Sequence, residues 1–173
     1  MTITTRSLAG FVLIASAAVL GGALLSQYRG GLAPCELCLL QRWPWAAAIT
    51  VSIVAVMVGS RPALPWVAAV LAAVFAASAI LAFYHVGVEQ HWFAGPSACT
   101  ASGSTHPRTV EEMRALILKA APVQCDQVAW SLFGVSMAGW NLVASLAMLA
   151  CCVAALVRRP AAQAGRPGLR HPA

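Results

Sequence analysis

Four long runs of apolar and small residues dominate the pattern along the chain. They cover residues 8–25, 43–59, 64–84 and 133–157, and none contains an acidic or basic side chain. A helix rises about 1.5 Å per residue, so about 20 residues cross a hydrocarbon core about 30 Å thick. The pattern predicts an all-α membrane protein, a four-transmembrane-helix bundle over residues 1–157. The first run also allows a cleaved signal peptide, but it is longer than the usual apolar region of about 7 to 15 residues, which favours a retained helix.

The polar segments between the runs predict the loops and the tail. Loops 26–42 and 85–132 follow the first and third runs, and a tight Ser60-Arg61-Pro62 link joins the second run to the third. The tail, 158–173, is rich in Pro, Ala, Gly and Arg and is predicted to be a disordered cytoplasmic segment.

Within the longer loop, Thr109 to Ala121 is predicted to form a short surface helix. Thr109 and Glu112 have the spacing of a capping box, and Pro122 ends the segment. One face is apolar, so the helix either lies on the membrane surface or packs as an ordinary loop helix. That face consists of Met113, Leu116, Ile117 and Ala120.

The composition agrees with a membrane protein and argues against nucleic-acid binding. The chain is 60% hydrophobic and 9% charged, whereas soluble domains carry about 25% charged residues. Its net charge of +6 comes from scattered basic residues, which form no basic patch interleaved with aromatic side chains.

The distribution of basic residues predicts the orientation of the spans. Four spans place both termini on one side, and basic residues in short segments favour the cytoplasm. The termini are therefore predicted to be cytoplasmic, and loops 26–42 and 85–132 to lie outside, in an oxidising compartment. The inner side carries Arg6, Arg61, Arg158, Arg159, Arg166 and Arg170; the outer side carries Arg29, Arg42, Arg108, Arg114 and Lys119 together with all five acids.

The six cysteines fall into three pairs. Cys35 and Cys38 form a Cys-x-x-Cys motif in the first outer loop, and Cys99 and Cys125 lie in the second. An oxidising compartment favours disulfide chemistry for both pairs. Cys151-Cys152 lies inside the fourth run, where a cysteine acts as a small apolar residue, so this pair is interpreted as packing.

The first pair is predicted to be reactive. If the chain turns helical after Pro34, both thiols lie in a first helical turn, where backbone N–H groups favour a thiolate. Arg42, four residues after Cys38, then either shares its face and favours its thiolate or extends to the membrane interface. Pro44 also suits the first position of the next helix, which would leave residues 38–42 as a separate turn.

The second pair is either a disulfide that closes its loop or part of a relay that passes electrons between two thiol pairs. Zinc is disfavoured because Cys99 and Cys125 form no second close-spaced knuckle, and haem attachment because Leu39 follows Cys38. By elimination, a lipid-soluble quinone is the predicted electron acceptor. His85, at the end of the third run, either lines a site for the quinone headgroup or caps the helix; His91 and Trp92 lie near it in the sequence.

The chain resembles the disulfide bond formation protein B (DsbB) family from Leu8 to about Val157. The resemblance implies a four-helix bundle in the bacterial inner membrane, with both termini cytoplasmic and the active cysteines periplasmic. It implies an enzyme, a quinone-dependent protein-disulfide oxidoreductase. The features that carry it are Pro34-Cys35-Glu36-Leu37-Cys38 followed by Gln41-Arg42, Tyr84-His85, Cys99 after Gly95-Pro96-Ser97, and Cys125-Asp126 leading through Trp130, Phe133-Gly134 and Trp140 into the fourth run.

The resemblance also implies where electrons enter. A reduced periplasmic DsbA-like thiol oxidase would attack Cys99 and form a mixed disulfide. Cys125 would be the loop partner of Cys99 and would exchange with Cys35. The segment between Cys99 and Cys125 departs from the family pattern, being rich in Ser, Gly and Thr near its start, which puts the partner contacts there in doubt.

On the side where electrons leave, the resemblance implies a bound ubiquinone or menaquinone and no metal. Cys38 would face this quinone as a thiolate. Arg42 would favour the charged sulfur and contact the quinone, and His85 would lie near it.

Three other interpretations remain open. One is a DsbB-like oxidase dedicated to a single partner or substrate. The second is the vitamin K epoxide reductase group, which places its quinone-facing Cys-x-x-Cys on the last span, where this chain has only the adjacent Cys151-Cys152. The third is a non-enzymatic membrane scaffold with structural disulfides.

Overall fold

The four predicted helices are present in the computed structural model, which describes residues 4–58, 64–96, 109–111 and 124–157. Four helical segments are long and apolar enough to cross a membrane, so the all-α, four-helix class is confirmed. Of the predicted helix at Thr109–Ala121, only residues 109–111 are described; Cys99 and the tail from residue 158 lie outside the described residues. The helices are α1 (Thr5–Tyr28), α2 (Glu36–Leu40), α3 (Arg42–Val58), α4 (Leu64–Glu89) and α5 (Met137–Val157), with strands β1 (Ser131–Leu132) and β2 (Val135–Ser136) before α5.

The helices pack as two pairs. Helix α1 lies against α3, α4 lies against α5, and α3 joins the pairs through α4. The Trp45 and Phe75 rings meet edge to face, with centroids 5.3 Å apart. Cys152 is buried in the same core, whereas Cys151 is exposed.

Small and hydroxyl side chains bring α4 and α5 together. Ala68, Ala82 and Ala138 are buried, and the Ser78 and Ser145 hydroxyls are 2.8 Å apart in a buried hydrogen bond. Lipid tails are as apolar as leucine, so close packing and interhelical hydrogen bonds stabilise helix pairs in a membrane. This interface fixes the C-terminal end of α4 against the N-terminal end of α5.

The outer surface of the bundle is apolar. Ile14, Met57, Trp66 and Ile80 are each more than two thirds exposed, an arrangement that water disfavours and a lipid environment suits. Together with the four long apolar helices, this surface identifies a multi-pass membrane protein.

A short hairpin precedes α5. Phe133 and Gly134 both have positive φ, at 53° and 77°, which is typical of the type I′ turn in two-residue hairpins. The Ser136 hydroxyl then accepts a hydrogen bond from the Gly139 N–H and caps the new helix. The apolar run predicted from residue 133 therefore begins as a hairpin and becomes helical only at Met137.

Candidate functional site

The Cys-x-x-Cys pair begins the short helix α2. Cys35 is its N-cap, and the Cys35 Sγ accepts a hydrogen bond from the Cys38 N–H at 3.2 Å. The two Sγ atoms lie 2.9 Å apart as free thiols, so little movement would close them into a disulfide, whose bond length is about 2.05 Å. Cys35 is buried and Cys38 is half-buried.

Cys125 packs beside this pair. It is 1% exposed and belongs to one buried cluster with Cys35, Leu37 and Val88. Cys38 contacts the edge of the cluster. Three of the four predicted catalytic cysteines therefore meet at one place, although Cys125 is 90 residues from Cys35 along the chain (125 − 35). The fourth, Cys99, lies outside the described residues.

The two thiols of the motif are chemically unequal. The Cys35 thiol donates a hydrogen bond to the Cys38 sulfur, and this bond, with burial as the second cause, raises the pKa of Cys35 to about 12. A hydrogen bond from His85 acts in the opposite direction. Cys35 therefore holds its proton at neutral pH and acts as the hydrogen-bond donor of the pair.

This inequality predicts how the reduced protein reacts with iodoacetamide. Below its pKa, a thiol gains about tenfold in thiolate fraction per pH unit. The rate at which iodoacetamide alkylates Cys35 should therefore rise without a plateau up to about pH 11. Tandem mass spectrometry distinguishes Cys35 from Cys38 in one peptide. In a Cys38→Ala control the hydrogen bond is lost, and the Cys35 plateau should move to lower pH. A wild-type plateau near pH 9 would contradict the assignment.

His85 lies directly behind the pair. It is 3% exposed, and its Nε2 is 3.6 Å from the Cys35 Sγ and 4.0 Å from a carboxylate oxygen of Glu89. The Ser136 hydroxyl donates to the other oxygen of Glu89. His85 therefore contacts the cysteine pair itself, a placement that neither capping nor quinone contact alone would predict.

A chain of polar side chains continues from His85 into the bundle. The His85 Nδ1 is 2.7 Å from the Gln41 Nε2. The Asn141 amide donates to the Gln41 oxygen, and the Trp45 indole donates to the Asn141 oxygen at 2.8 Å. Gln41, Asn141 and Trp45 were not predicted to be functional. The available signal was Asn141, the single amide in the four apolar runs, since polar groups within membranes tend to be functional.

The sulfurs of Cys35 and Cys38 and a ring nitrogen of His85 all lie within 4.8 Å of one another. Two thiolates and an imidazole are ligands that suit zinc. Such binding would require both thiols to be ionised and the His85 Nε2 to offer its lone pair.

Arg42 reaches across the bundle toward α1. Its Nη1 donates to the Gln27 oxygen at 2.7 Å. This is the one side-chain hydrogen bond that Arg42 makes among the described residues. Helix α3 begins at Arg42 and has Pro44 in its first turn, while α2 ends at Leu40. The motif and Arg42 thus belong to separate helices, as the alternative based on Pro44 predicts.

A cavity of about 480 Å³ lies next to Cys38, between α1 and the first turns of α5. Its walls are mostly apolar, and its polar atoms come from the residues around the pair. Gly22 on α1 is exposed and lines it, so the cavity reaches the surface of the bundle. The polar lining residues are Ser26, Gln41, Arg42, His85 and Asn141, with Trp130 and Trp140 beside them.

His91 and Trp92 lie away from the cavity lining. Both are exposed in the turn after α4, where the Trp92 N–H donates to the Gly87 carbonyl. The Tyr84 ring stacks on Phe93, with centroids 5.9 Å apart, and its hydroxyl donates to the Ala94 carbonyl. These contacts hold residues 90–96 against the end of α4.

Comparison with known proteins agrees with this site. The sequence model of the family described as "Disulfide bond formation protein DsbB" matches residues 5–155. A disulfide bond formation protein B from Stutzerimonas stutzeri is 29% identical over 161 residues, covering 89% of this chain and 96% of the relative. One from Marinobacter nauticus is 33% identical over 147 residues, covering 81% and 84%.

A third relative, disulfide bond formation protein B from Hahella chejuensis, is 28% identical over 165 residues and covers 91% of this chain and 97% of its own length. No solved structure matches the chain. Because the family match covers nearly the whole chain and includes the residues of the cysteine pair, this multi-pass membrane protein belongs to the DsbB family of disulfide bond formation proteins.

Proposed function

We propose that this protein reoxidises a periplasmic DsbA-like dithiol oxidase and passes the electrons to a membrane quinone. The observation that carries the proposal is the meeting of Cys35, Cys38 and Cys125 in one buried cluster, next to a cavity that reaches the bundle surface. Membership of a disulfide bond formation family implies an oxidoreductase. The partner, the quinone and the residue roles below are part of the proposal.

The first stage transfers a disulfide outward. The reduced partner attacks the Cys99–Cys125 disulfide at Cys99, forms a mixed disulfide and releases Cys125 as a thiolate. The partner's second cysteine, as a thiolate, then attacks the partner's first sulfur in that mixed disulfide and releases Cys99. The partner leaves with a disulfide, and Cys99 and Cys125 hold its two electrons.

The second stage moves the electrons to the motif. The Cys125 thiolate attacks the Cys35 sulfur of the Cys35–Cys38 disulfide and releases Cys38 as a thiolate. Cys99 then attacks Cys125, restores the Cys99–Cys125 disulfide and releases Cys35, which takes up a proton. The packing of Cys125 against Cys35 supports this order, because exchange requires direct contact between sulfurs.

The cavity suits a quinone headgroup. It is lined by apolar side chains with a few convergent polar groups, the usual character of a cofactor site. A bound quinone accepts two electrons and two protons. The cavity lining includes Cys38, Arg42 and His85, whose thiol, cation and ring would orient the headgroup.

Narrowing this cavity should weaken the use of quinone. Gly22 lines it, and an added Cβ there would meet no atom within 4 Å, so a Gly22→Leu side chain can extend into it. We expect KM for ubiquinone-1 to rise about tenfold, equivalent to about 1.4 kcal/mol of lost binding. Steady-state absorbance of the quinone measures this.

Gly21→Leu is the matched control. Gly21 also has open space around an added Cβ but does not line the cavity, so its KM should stay near the wild-type value. Equal effects of the two substitutions would place the quinone elsewhere.

Location in the bacterial inner membrane, with cytoplasmic termini and a periplasmic site, is part of the same proposal. A cysteine-accessibility assay with a membrane-impermeant maleimide tests it in cells. A new cysteine introduced at Tyr28, which is exposed at the end of α1, should react from outside. Labelling of that position only after the membrane is opened would reverse the orientation.

The function itself is tested by reconstitution. The protein in nanodiscs is mixed with a reduced DsbA-like oxidase and ubiquinone-1, and loss of quinone absorbance is followed with loss of partner thiols. We expect one quinone reduced per two partner thiols consumed. Consumption of neither reactant would support the scaffold interpretation.

A further inference from the structure

A buried chain of hydrogen bonds ends at the Cys35 sulfur. We define the amide relay as four polar side chains, two of them on helices far apart in sequence from the motif. Trp45 and His85 are buried, Gln41 is 6% exposed and Asn141 is half-buried. The members, in order toward the sulfur, are Trp45, Asn141, Gln41 and His85.

The direction of every bond in the amide relay follows from its first member. An indole N–H can only donate, so the atom of Asn141 that it meets must be the oxygen. The Asn141 nitrogen therefore donates to Gln41, and the atom it meets must be the Gln41 oxygen. The Gln41 nitrogen then faces His85 and donates to Nδ1.

A neutral imidazole carries one hydrogen, on one of its two nitrogens. Because Nδ1 of His85 accepts from Gln41, the hydrogen of the neutral ring lies on Nε2. That nitrogen is 3.6 Å from the Cys35 sulfur and 4.0 Å from Glu89. The ring therefore presents a hydrogen-bond donor to the sulfur, and no lone pair to a metal ion.

We propose that Trp45, Asn141 and Gln41 are positioning residues for thiol–disulfide exchange at Cys35. They hold His85 so that its Nε2–H donates to the Cys35 sulfur at the moment this sulfur leaves as a thiolate. Hydrogen bonds to charged atoms are about twice as strong as neutral ones. This inference rests on the proposed exchange between Cys125 and Cys35.

The sharpest variant is Gln41→Glu. A carboxylate accepts the hydrogen bond from Asn141 but cannot donate to His85, so the ring hydrogen should move to Nδ1 and leave a lone pair facing Cys35. Trp45→Phe keeps an aromatic ring against Phe75 but removes the donor that sets the direction. Asn141→Asp is a second variant of the same kind, because it can accept from Trp45 but cannot donate to Gln41.

Two readouts are needed. Nitrogen-15 NMR of histidine-labelled protein distinguishes a protonated from a bare ring nitrogen, and a His85→Gln sample identifies the His85 signals among the four histidines. Rapid mixing of the oxidised protein with dithiothreitol, followed by acid quench and alkylation, gives the rate at which thiols appear at Cys35 and Cys38. Dithiothreitol stands in for the protein partner.

We expect wild-type His85 to carry its hydrogen on Nε2 and Gln41→Glu to carry it on Nδ1. The rate of exchange should fall about tenfold in Gln41→Glu and by a smaller factor in Trp45→Phe, whose His85 should show both tautomers. Ser145→Ala, the control, removes a buried hydrogen bond from the same helix interface and should change neither readout. If Gln41→Glu does not fold, Asn141→Asp replaces it.

Two results would overturn the inference: a wild-type His85 with a bare Nε2, or a reversed tautomer in Gln41→Glu with an unchanged exchange rate. Neither affects the proposed function, which requires only that the thiols exchange and quinone is reduced. Conversely, a wild-type protein that reduces no quinone would refute the proposed function, while the NMR result would still establish the direction of the amide relay.

Discussion

Replacing Cys38 with alanine should abolish quinone reduction, with a loss of about a thousandfold or more against the wild-type rate. Cys38 is the thiol of the pair that lines the cavity, and Cys35, buried beside it, keeps its proton. Removing a residue that forms the covalent bonds of a reaction has effects of this size or larger. The measurement is quinone absorbance with the reduced partner present.

The same variant should accumulate an internal disulfide. Cys35 packs against Cys125, and without Cys38 it has no neighbour in its own motif with which to pair. The Cys35 sulfur should attack Cys125 in the Cys99–Cys125 disulfide and release Cys99 as a thiolate, so a Cys35–Cys125 disulfide should appear in peptide mapping. Cys151→Ala, which removes an exposed thiol on α5, is the control and should keep wild-type turnover. Full quinone reduction by Cys38→Ala would refute the assignment of Cys38 as the thiol that passes electrons to quinone.

The second large effect is expected from Cys125→Ala. This change removes the proposed disulfide partner of Cys99 and the sulfur that packs against Cys35. Turnover driven by a reduced protein partner should fall to background, because no Cys99–Cys125 disulfide remains for the partner to attack. Quinone absorbance with the reduced partner present measures this loss.

In this variant, a small dithiol distinguishes the role of Cys125 from that of the Cys35–Cys38 pair. Cys38 is only half-buried, so dithiothreitol can reach its sulfur directly and reduce the Cys35–Cys38 disulfide. Cys125→Ala should therefore keep part of its quinone reduction with dithiothreitol while losing it with the protein partner. Loss of both activities would mean that Cys125 supports the structure of the quinone site rather than the transfer between pairs.

Hydropathy was sufficient to predict the class of fold. Four uncharged runs long enough to cross a bilayer allow few alternatives, because unpaired backbone groups are costly in lipid. Hydropathy could not distinguish the strand pair before α5 from helix, because the apolar character of residues 133–136 is compatible with either structure. That difference depends on backbone angles at Phe133 and Gly134, for which apolar character carries no signal.

The cysteine chemistry was predicted from spacing and compartment, whereas a meeting of Cys125 with Cys35 was implied only by the family resemblance. The contact between Cys125 and Cys35 brings together residues from distant parts of the chain. The partner of Arg42 proved to be Gln27, on a different helix, which a pattern local to the motif cannot reveal. The amide Asn141 was visible in the sequence, but the direction of its hydrogen bonds depends on Trp45, 96 residues away.

The proposed function requires electrons to pass from Cys99 and Cys125 through Cys35 and Cys38 to quinone. Thiol trapping of the membrane-bound protein, with a reduced partner and with or without quinone, tests this directly. With quinone, Cys35 and Cys38 should be recovered mainly as a disulfide; after quinone depletion they should be alkylated as thiols, and added ubiquinone-1 should restore the disulfide. The proposed function would be contradicted, and structural disulfides indicated, if four cysteines stayed oxidised under every condition: Cys35, Cys38, Cys99 and Cys125.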